Sequence, residues 1–510
     1  MRRSALLLPL LLLMLAIPHH AAESANKLLE RYRKAAGGAA LKRIKATLVS
    51  ASVTSSNGEA GRFDLRAVAP DRLRIDIATT ETKVIECYNG KSAWTMDRRG
   101  LRTLLGLEAK RMRLDALIIN SRLVNLSRNR IVAQAPTKAT FEGRNVNILE
   151  LIKDQAHTKL YFDAETGLLI KRERERAEGI EELYYTDYRK VDGVMEPFAI
   201  RIKNGDRELL ISVDRVEHDG IVEEAAFRYP TIEGQRPLPD LAELMKAIEA
   251  NQEKVEDMVD HYTFRETVVE RKDNDGHVTE GDTKVYEVTP VYGTPVRKLV
   301  SVNGKPLSQD DREKEDRRVQ KAVEEIVKKH EKEEKREKKK EEAKSRGEKG
   351  DEDDDDLTLL DFLRISEITS VRREVFRDHE VIAFDFEPRK GFKPKNRGES
   401  LVNKLAGTMW ADEDAKQIVR AEARLVDSFK IGGGLLASVS PATAVVFEQE
   451  KIGDEIWLPS YNEVNLSARL FLFAKLKLNF VSRFSDYKKY QIDDKYELGK
   501  PTEAAKPAKP

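Results

Sequence analysis

Two stretches with the same order of residue types decide the fold: "LYFDAETGLLIKRERER" at residues 160–176 and "MWADEDAKQIVRAEARL" at residues 409–425. In each, an apolar segment with an aromatic residue leads into a turn that begins with Asp. A second segment then alternates aliphatic and charged residues. Alternation with a period of two is typical of a strand with one buried face, so each stretch predicts an antiparallel hairpin. Its presence twice predicts a chain built from two related units.

Two more pairs of stretches repeat in the same chain order. "FEGRNVNILEL" (141–151) matches "FRDHEVIAFDF" (376–386), and "YRKVDGVMEPFAIRI" (188–202) matches "QEKIGDEIWLPSYNEV" (449–464). Each set of strands follows an amphipathic segment with helical spacing, "ANKLLERYRKAA" in the first half and "LAELMKAIEANQEKVEDMV" in the second. Three matches in one order favour a tandem duplication over a chance similarity.

The first residues have the pattern of a secretory signal peptide. Arg2 and Arg3 precede an apolar run that is shorter than the ~20 residues of a membrane span, and small residues surround Ala22. We therefore predict an exported, periplasmic protein with cleavage near Ala22. An uncleaved N-terminal anchor is the alternative.

The predicted organisation follows from these patterns and from shifts in composition. Residues 1–22 form the signal peptide, 23–230 the first domain, 231–240 a Pro- and Gly-containing linker, 241–496 a second and more divergent domain, and 497–510 a disordered tail. The second domain contains the insertion 310–356, in which Glu and Lys recur at i,i+4 spacing before an acidic run. We expect a charged helix followed by a disordered segment.

Composition excludes several function classes. The 510 residues carry 90 basic and 89 acidic side chains, which gives no general attraction to nucleic acid. The single cysteine, Cys87, allows no intramolecular disulfide, and no cysteine follows the cleavage region to accept a lipid. The sequence contains no catalytic motif and no clustered metal ligands, so we predict no enzyme activity, no metal and no cofactor. A hydrolase is the least favoured class.

What remains is sheet with a surplus of apolar surface. "ARLFLFAKLKLNFVSRF" (468–484) places alternate leucines and Phe480 on one face. In the first half, "LRTLLGLEAKRMRLDALIIN" (101–120) interrupts the strands with helical spacing. A long curved antiparallel sheet with one helix across it can leave part of its concave face open to an apolar ligand.

The order of elements resembles the periplasmic carriers that sort outer-membrane lipoproteins, the LolA/LolB family. "PDRLRIDI", "YNGKSAW", "YFDAETGLLIKRE" and "DYRKVDGVMEPFAIRI" carry the likeness over residues 25–229, and the second half resembles the fold more loosely. The resemblance implies an α+β fold with two tandem antiparallel half-open β-barrels, each with an N-terminal helix across its sheet.

The resemblance also implies a function: the half-barrel shelters acyl chains of a lipoprotein or lipid beneath a helical lid. The lipid-binding residues it implies on the sheet are Leu73, Ile75, Ile77, Trp94 and Met96, and those on the lid are Leu104, Leu107, Leu114 and Leu117. We expect transient contact with a membrane and no nucleic-acid partner. A periplasmic sensor or scaffold, similar to RseB-type regulators, is the alternative; there the insertion 310–356 would bind a protein.

Overall fold

The structure is a computed structural model that describes residues 24–80, 82–176, 179–259, 261–274, 277–344, 358–431, 436–441, 443–453, 456–470 and 474–489. The predicted signal peptide (1–22), the acidic run at 353–356 and the predicted tail (497–510) lie outside the described residues. The chain divides into two compact units. Unit 1 comprises the residues up to Arg98 together with Thr103–Arg228, and unit 2 comprises Arg99–Arg102 together with Tyr229 and the residues that follow.

In the described residues of the first half, the α-helices are α1 (Ala25–Ala36) and α2 (Gly106–Ser121). Its strands are β1 (Ala46–Ser55), β2 (Ala60–Val68), β3 (Arg72–Thr79), β4 (Lys83–Tyr88), β5 (Ala93–Asp97), β6 (Gly100–Thr103), β7 (Val132–Ala133), β8 (Thr137–Phe141), β9 (Arg144–Lys153), β10 (Ala156–Asp163), β11 (Leu169–Arg176), β12 (Gly179–Val191), β13 (Val194–Asn204) and β14 (Arg207–His218). They pair in the order β5-β4-β3-β2-β1-β14-β13-β12-β11-β10-β9-β7, and β8 also pairs with β9.

Helix α1 has the ends that its sequence predicts. The Ser24 hydroxyl accepts a hydrogen bond from the backbone N–H of Lys27 at 3.4 Å, which caps the first turn. Gly37 ends the helix with φ of 136°, and a Cβ added there would lie 2.7 Å from the carbonyl oxygen of Gly193. Only glycine fits this position, because both the backbone angle and the close approach exclude a side chain.

The second half contains α3 (Leu241–Val259), α4 (Gln309–Lys344), α5 (Leu359–Ile365) and α6 (Arg397–Val402). Its strands are β15 (Tyr262–Asn274), β16 (His277–Val291), β17 (Thr294–Val302), β18 (Lys305–Pro306), β19 (Ser366–Phe376), β20 (His379–Pro388), β21 (Leu405–Asp412), β22 (Gln417–Leu425), β23 (Phe429–Ile431), β24 (Ala437–Val439), β25 (Ala444–Ile452), β26 (Ile456–Leu470) and β27 (Ala474–Lys489). The main path is β18-β17-β16-β15-β27-β26-β25-β22-β21-β20-β19. The charged helix predicted in the insertion is present as α4.

The two sheets have the same strand order. In each, the first strand pairs with the last, and the remaining strands follow outward in chain order on both sides. All the registered pairs around this centre are antiparallel, as in β1 with β14 and β15 with β27. One part of the predicted fold class is therefore confirmed: the described residues form mostly antiparallel sheet with few helices. Within the described residues, neither sheet closes on itself.

The hairpins that the sequence repeats also share their geometry. In β10–β11 the register shifts between Tyr161 and Phe162, and in β21–β22 it shifts at the matching place, between Trp410 and Ala411. The Asp163 carboxylate accepts backbone N–H groups two and three residues later at 2.9 and 2.7 Å. Asp412 does the same at 2.9 and 2.8 Å. Each aspartate therefore fixes its turn by satisfying backbone donors.

The aspartates differ in their side-chain partners: Asp163 accepts the Thr166 hydroxyl at 3.0 Å on the oxygen that fixes its turn. Asp412 also accepts a hydrogen bond at 2.9 Å from the indole N–H of Trp457, a side chain with no exposed surface. Asparagine at position 412 would keep an oxygen for the turn, and the oxygen that receives the indole would become an NH2 donor. Because a buried donor without a partner costs about 1–3 kcal/mol, we expect Asp412→Asn to lower the free energy of unfolding by that amount.

Asp163→Asn is the matched control, since no indole donates to Asp163, and we expect its unfolding midpoint in urea to stay close to that of the parent protein. Tryptophan fluorescence should report the change at Asp412. Equal losses in the two variants would show that the indole contact contributes no stability.

Candidate functional site

The inner face of the unit 1 sheet is apolar across five neighbouring strands. Its buried or half-buried side chains come from β1, β2, β3, β14 and β13 and include Val53, Phe63, Leu65, Leu73, Ile75, Ile77, Ile211, Val213 and Ile200. They share one face because directly paired residues of antiparallel strands point the same way, as Phe63 does with Ile77 and Leu65 with Ile75.

Helix α2 contacts apolar residues on two sides. Met112, Ala116 and Ile119 pack on this inner face. Leu114 and Leu117 point instead toward α1, β9 and β10, where they join Leu28, Leu149, Leu160 and Phe162. A helix with apolar residues on two sides must be covered on both of them. The sheet covers one side of α2, and α1 with β9 and β10 covers the other.

The structure brings together four of the predicted lipid-binding residues. Leu73, Ile75, Ile77 and Leu104 all belong to the cluster that contacts Met112 and Ala116. Leu107, at the start of α2, is 37% exposed. The sequence analysis missed Met112, Ala116 and Ile119, because α2 carries apolar residues on two sides and helical spacing alone does not say which side faces this sheet surface.

Two of the predicted lid residues are core residues in this structure. Leu114 is 1% exposed and Leu117 is 5% exposed, both within the cluster around α1. A charged substitution at either position would therefore destabilise unit 1, because it would bury a charge in the core. At an accessible lid position, the same substitution would leave the fold intact.

Trp94 and Met96 do not line the same face as Leu73, Ile75 and Ile77. Leu73 pairs with Tyr88, and Trp94 pairs with Cys87, which in turn pairs with Arg74. The register thus places Trp94 with Arg74 on the opposite face, and Met96 follows by alternation. There the Trp94 indole N–H donates to the carbonyl of Phe227 at 3.4 Å. A single-faced site containing all five sheet residues is therefore wrong.

A buried ion cluster fastens α2 to the sheet. Asp115, 3% exposed, lies on α2 among apolar neighbours. Its carboxylate pairs with Arg172 and, at 2.6 Å, with Arg174, both on β11 of the "KRERER" segment. Arg172 Nε also donates to the Thr158 hydroxyl at 3.0 Å. Removing one member would leave buried charge uncompensated.

The cluster is electrically balanced. Arg174 also pairs with Glu181, and Arg176 pairs with Glu86 at 2.9 Å and with Glu181 at 3.5 Å. Burial acts to raise the pKa of Asp115, but the nearby guanidinium groups of Arg172 and Arg174 outweigh it and hold that pKa below its ordinary value. Asp115 is therefore a carboxylate at neutral pH.

A second polar anchor holds the end of α2. Arg122 follows the helix in the left-handed conformation, with φ of 49°. Its guanidinium pairs with Glu196 at 2.6 Å and donates to the Thr47 hydroxyl at 2.8 Å. The ring Nε2 of His218 lies 2.9 Å from the same Glu196 carboxylate. The helix is thus fixed to the sheet by polar contacts at its middle and at its C-terminal end, and by apolar packing elsewhere.

Among the residues that the structure describes, no group of three or more His, Cys, Asp or Glu side chains could hold a metal ion. The same part of the chain contains no helix long and apolar enough to cross a membrane. The distinctive feature of unit 1 is an apolar interface between α2 and the sheet, with ion pairs at Asp115 and Arg122.

We predict that Asp115→Asn destabilises unit 1. The substitution keeps the shape of the side chain but leaves Arg172 and Arg174 without their shared counter-charge, which costs about 3–5 kcal/mol for a broken buried pair. Hydrogen exchange of peptides from α2, together with a lower urea midpoint, should report the loss. Asp187→Asn breaks the exposed pair with Arg189 and should leave both readings unchanged. Unaltered exchange in α2 after Asp115→Asn would mean that the cluster does not fasten the helix.

The same cluster predicts a pH dependence. Because the pKa of Asp115 is lowered in the folded state, its stabilising contribution is complete above the unfolded value of about 3.9. It is lost as pH falls through the lower, folded value. The stability difference between the parent protein and Asp115→Asn should therefore be largest near neutral pH and shrink below about pH 4. A difference in urea midpoint that stays constant from pH 7 to pH 3 would contradict this assignment.

Comparison with known proteins gives structural likeness only. No family model and no curated protein matches the chain. A LolA superfamily protein from Nitrosomonas europaea matches at 13% identity and a TM-score of 0.29, covering 41% of this chain and 99% of that one. LprF from Mycobacterium bovis matches at 10% identity and a TM-score of 0.16, covering 39% of this chain and 93% of that one.

The Pseudomonas aeruginosa MucA/MucB complex matches over a longer range, at 8% identity and a TM-score of 0.17, covering 91% of this chain and 98% of the matched chain. All three matches have a TM-score below 0.5 and an identity of 13% or less.

Proposed function

We propose that the chain is a non-enzymatic periplasmic binding protein that shelters the acyl chains of a lipoprotein or lipid, in lipoprotein sorting or envelope lipid transport. The observation that carries the proposal is the interface between α2 and the inner face of the unit 1 sheet. It is apolar on both sides, and its helix is fastened at Asp115 and Arg122. A ligand would occupy the face around Leu73, Ile75 and Ile77 in place of part of the helix.

The proposal includes the architecture. We take the units as two copies of one half-open barrel, with signal peptide 1–22, domains 23–230 and 241–496 and linker 231–240. Support comes from the common strand order and from the bulge and turn shared by the hairpins at Asp163 and Asp412. Such a sheet has an inner face that its own strands do not fill.

The energetics favour reversible binding. Burying ten methylene groups at about 0.8 kcal/mol each contributes ~8 kcal/mol, which corresponds to a micromolar dissociation constant. Part of this is offset by the helix contacts that the ligand replaces, since Met112 and Ala116 already cover the face. A cargo held this way can be taken up and released again.

Uptake of a fluorescent fatty-acid probe tests the proposal. Ile77 is half-buried on the inner face, and Ile77→Gln should weaken probe binding about tenfold or more, because an apolar contact worth ~1.5–3 kcal/mol is lost. Leu210→Gln is the control: it makes the same kind of change on β14 at a side chain that is 50% exposed. Binding by Leu210→Gln should equal that of the parent protein.

The natural cargo should be detectable directly. Mass spectrometry of the protein purified from the periplasm should show bound lipid or lipopeptide at a stoichiometric level, reduced in Ile77→Gln. Absence of any bound lipid, together with equal probe binding by the Ile77 and Leu210 variants, would reject the carrier function.

A further inference from the structure

Unit 2 contains a cavity that the function of unit 1 does not use. It has a volume of about 450 Å³, within the range of about 300–1,000 Å³ that is usual for small-molecule sites. Strands β15, β16, β17 and β27 and helix α4 form it, through Glu266, Val268, Tyr286, Arg297, Leu299, Glu315, Arg318, Phe480 and Ser482. Helix α4 therefore lies over the first strands of unit 2, the position that α2 takes in unit 1.

The two covering helices differ in what they offer the sheet. Helix α2 places Met112, Ala116 and Ile119 on its sheet. At the cavity, α4 contributes Glu315 and Arg318 instead. Glu315 and Arg318 pair with each other, and Glu315 also accepts the backbone N–H of Leu299, so neither side chain fills the apolar floor and a space remains beneath α4.

The floor of the cavity continues into an apolar row. Phe480 pairs with Val464, and Leu478 pairs with Leu466, so these four side chains share the face that Phe480 gives to the cavity. Leu478 is 43% exposed, and Val445, the neighbour of Val464 on β25, is also 43% exposed. A row of this kind, opening from a cavity, fits an extended hydrocarbon chain.

The cavity wall carries equal numbers of opposite charges. The Glu266 side chain is only 2% exposed and pairs with Arg297 at 2.6 Å. Glu315 pairs with Arg318 at 2.7 Å and also accepts the backbone N–H of Leu299 at 2.7 Å. The hydrogen bond from Arg318 lowers the pKa of Glu315 despite partial burial, so both members of this pair are charged at neutral pH.

A balanced wall discriminates between head groups. An anionic head would gain from the arginines but be repelled by the two carboxylates. A zwitterionic head can place its anion against a guanidinium and its cation against a carboxylate. Flanking pairs, Lys298 with Asp316 and Lys284 with Glu270, add no net charge of either sign.

We propose that the cavity beneath α4 and the apolar row from Phe480 to Leu478 form a second site, for a single-chain amphiphile with a zwitterionic head group. The assignment of an acyl chain to the ligand rests on the proposed function. The location of the site in unit 2 and its head-group preference do not. The tail lies along the row, and the head lies against the cavity wall beside the Arg318–Glu315 pair.

Calorimetry with monomeric palmitoyl lysophosphatidylethanolamine and palmitoyl lysophosphatidylglycerol, on the full chain carrying Ile77→Gln, tests the proposal. These probes share tail and phosphate, and only the first has an ammonium group. We expect the zwitterionic probe to bind at least fivefold more tightly. Leu478→Gln, at a half-exposed position, should weaken both probes about tenfold. Lys477→Gln, on the adjacent exposed residue of the other face, should leave both unchanged.

The head-group assignment has its own test. Glu315→Gln makes the wall net positive while keeping an oxygen for the N–H of Leu299, so the preference should reverse toward the anionic probe. Glu313→Gln, an exposed change on the same helix, should not alter it. A photoreactive lysophosphatidylethanolamine should label peptides of β27 and β17.

Several results would overturn the proposal. If the full chain carrying Ile77→Gln and no other substitution binds neither lysophospholipid, the site in unit 2 is refuted. The proposed function of unit 1 is then unaffected. Equal affinity for both probes, with no response to Glu315→Gln, would refute the head-group assignment. Binding to phosphatidylethanolamine vesicles but not to the monomeric probes would assign the apolar row to a membrane surface. A Leu478→Gln variant that changes self-association but not probe binding would assign the row to contact with a second copy of the chain.

Discussion

The ion cluster around Asp115 is the constraint on which the design of unit 1 depends. Apolar contacts are not directional, so the packing of Met112 and Ala116 on the sheet does not by itself fix one position of α2. The pairs from Asp115 to Arg172 and Arg174 do, because sliding the helix would leave buried charges unpaired. The ion pairs thus fix one position of α2 on the sheet, while the rest of the interface remains apolar.

The β10–β11 hairpin has different ion pairs on its two faces. Arg172 and Arg174 point to the inner face, whereas Lys171 pairs with Glu173 and Glu182 on the outer one. In unit 2 the corresponding residue, Arg420, pairs with Glu422 and Glu448. The outer arrangement is therefore common to both hairpins. The inner one differs, since "KRERER" has arginines where "RAEARL" has alanines. Among the described residues, only the hairpin of unit 1 pairs with a helical aspartate.

How far the sequence predicts the site depends on whether its signals are local. Alternation placed Leu73, Ile75 and Ile77 on one face, and the register agrees. It could not place Trp94, because the face depends on the pairing of β3, β4 and β5 across two turns. Periodicity likewise could not separate Leu114 from Met112 on a helix that is apolar on two sides. Asp115 gave no local signal at all, since its partner Arg172 lies 57 residues away.

The difference between α2 and α4 gives the repetition a functional meaning. In unit 2, charged residues of α4 lie over the floor that Phe480 and Val268 form, whereas in unit 1 helix α2 covers its sheet with Met112 and Ala116. In the proposed function, a ligand of unit 1 displaces part of an apolar helix, so its binding is linked to opening. In the proposed second site, the cavity beneath the charged helix α4 accepts a polar head at its wall, so binding there needs less rearrangement. One strand order can therefore support two sites that differ in how much of the protein must move.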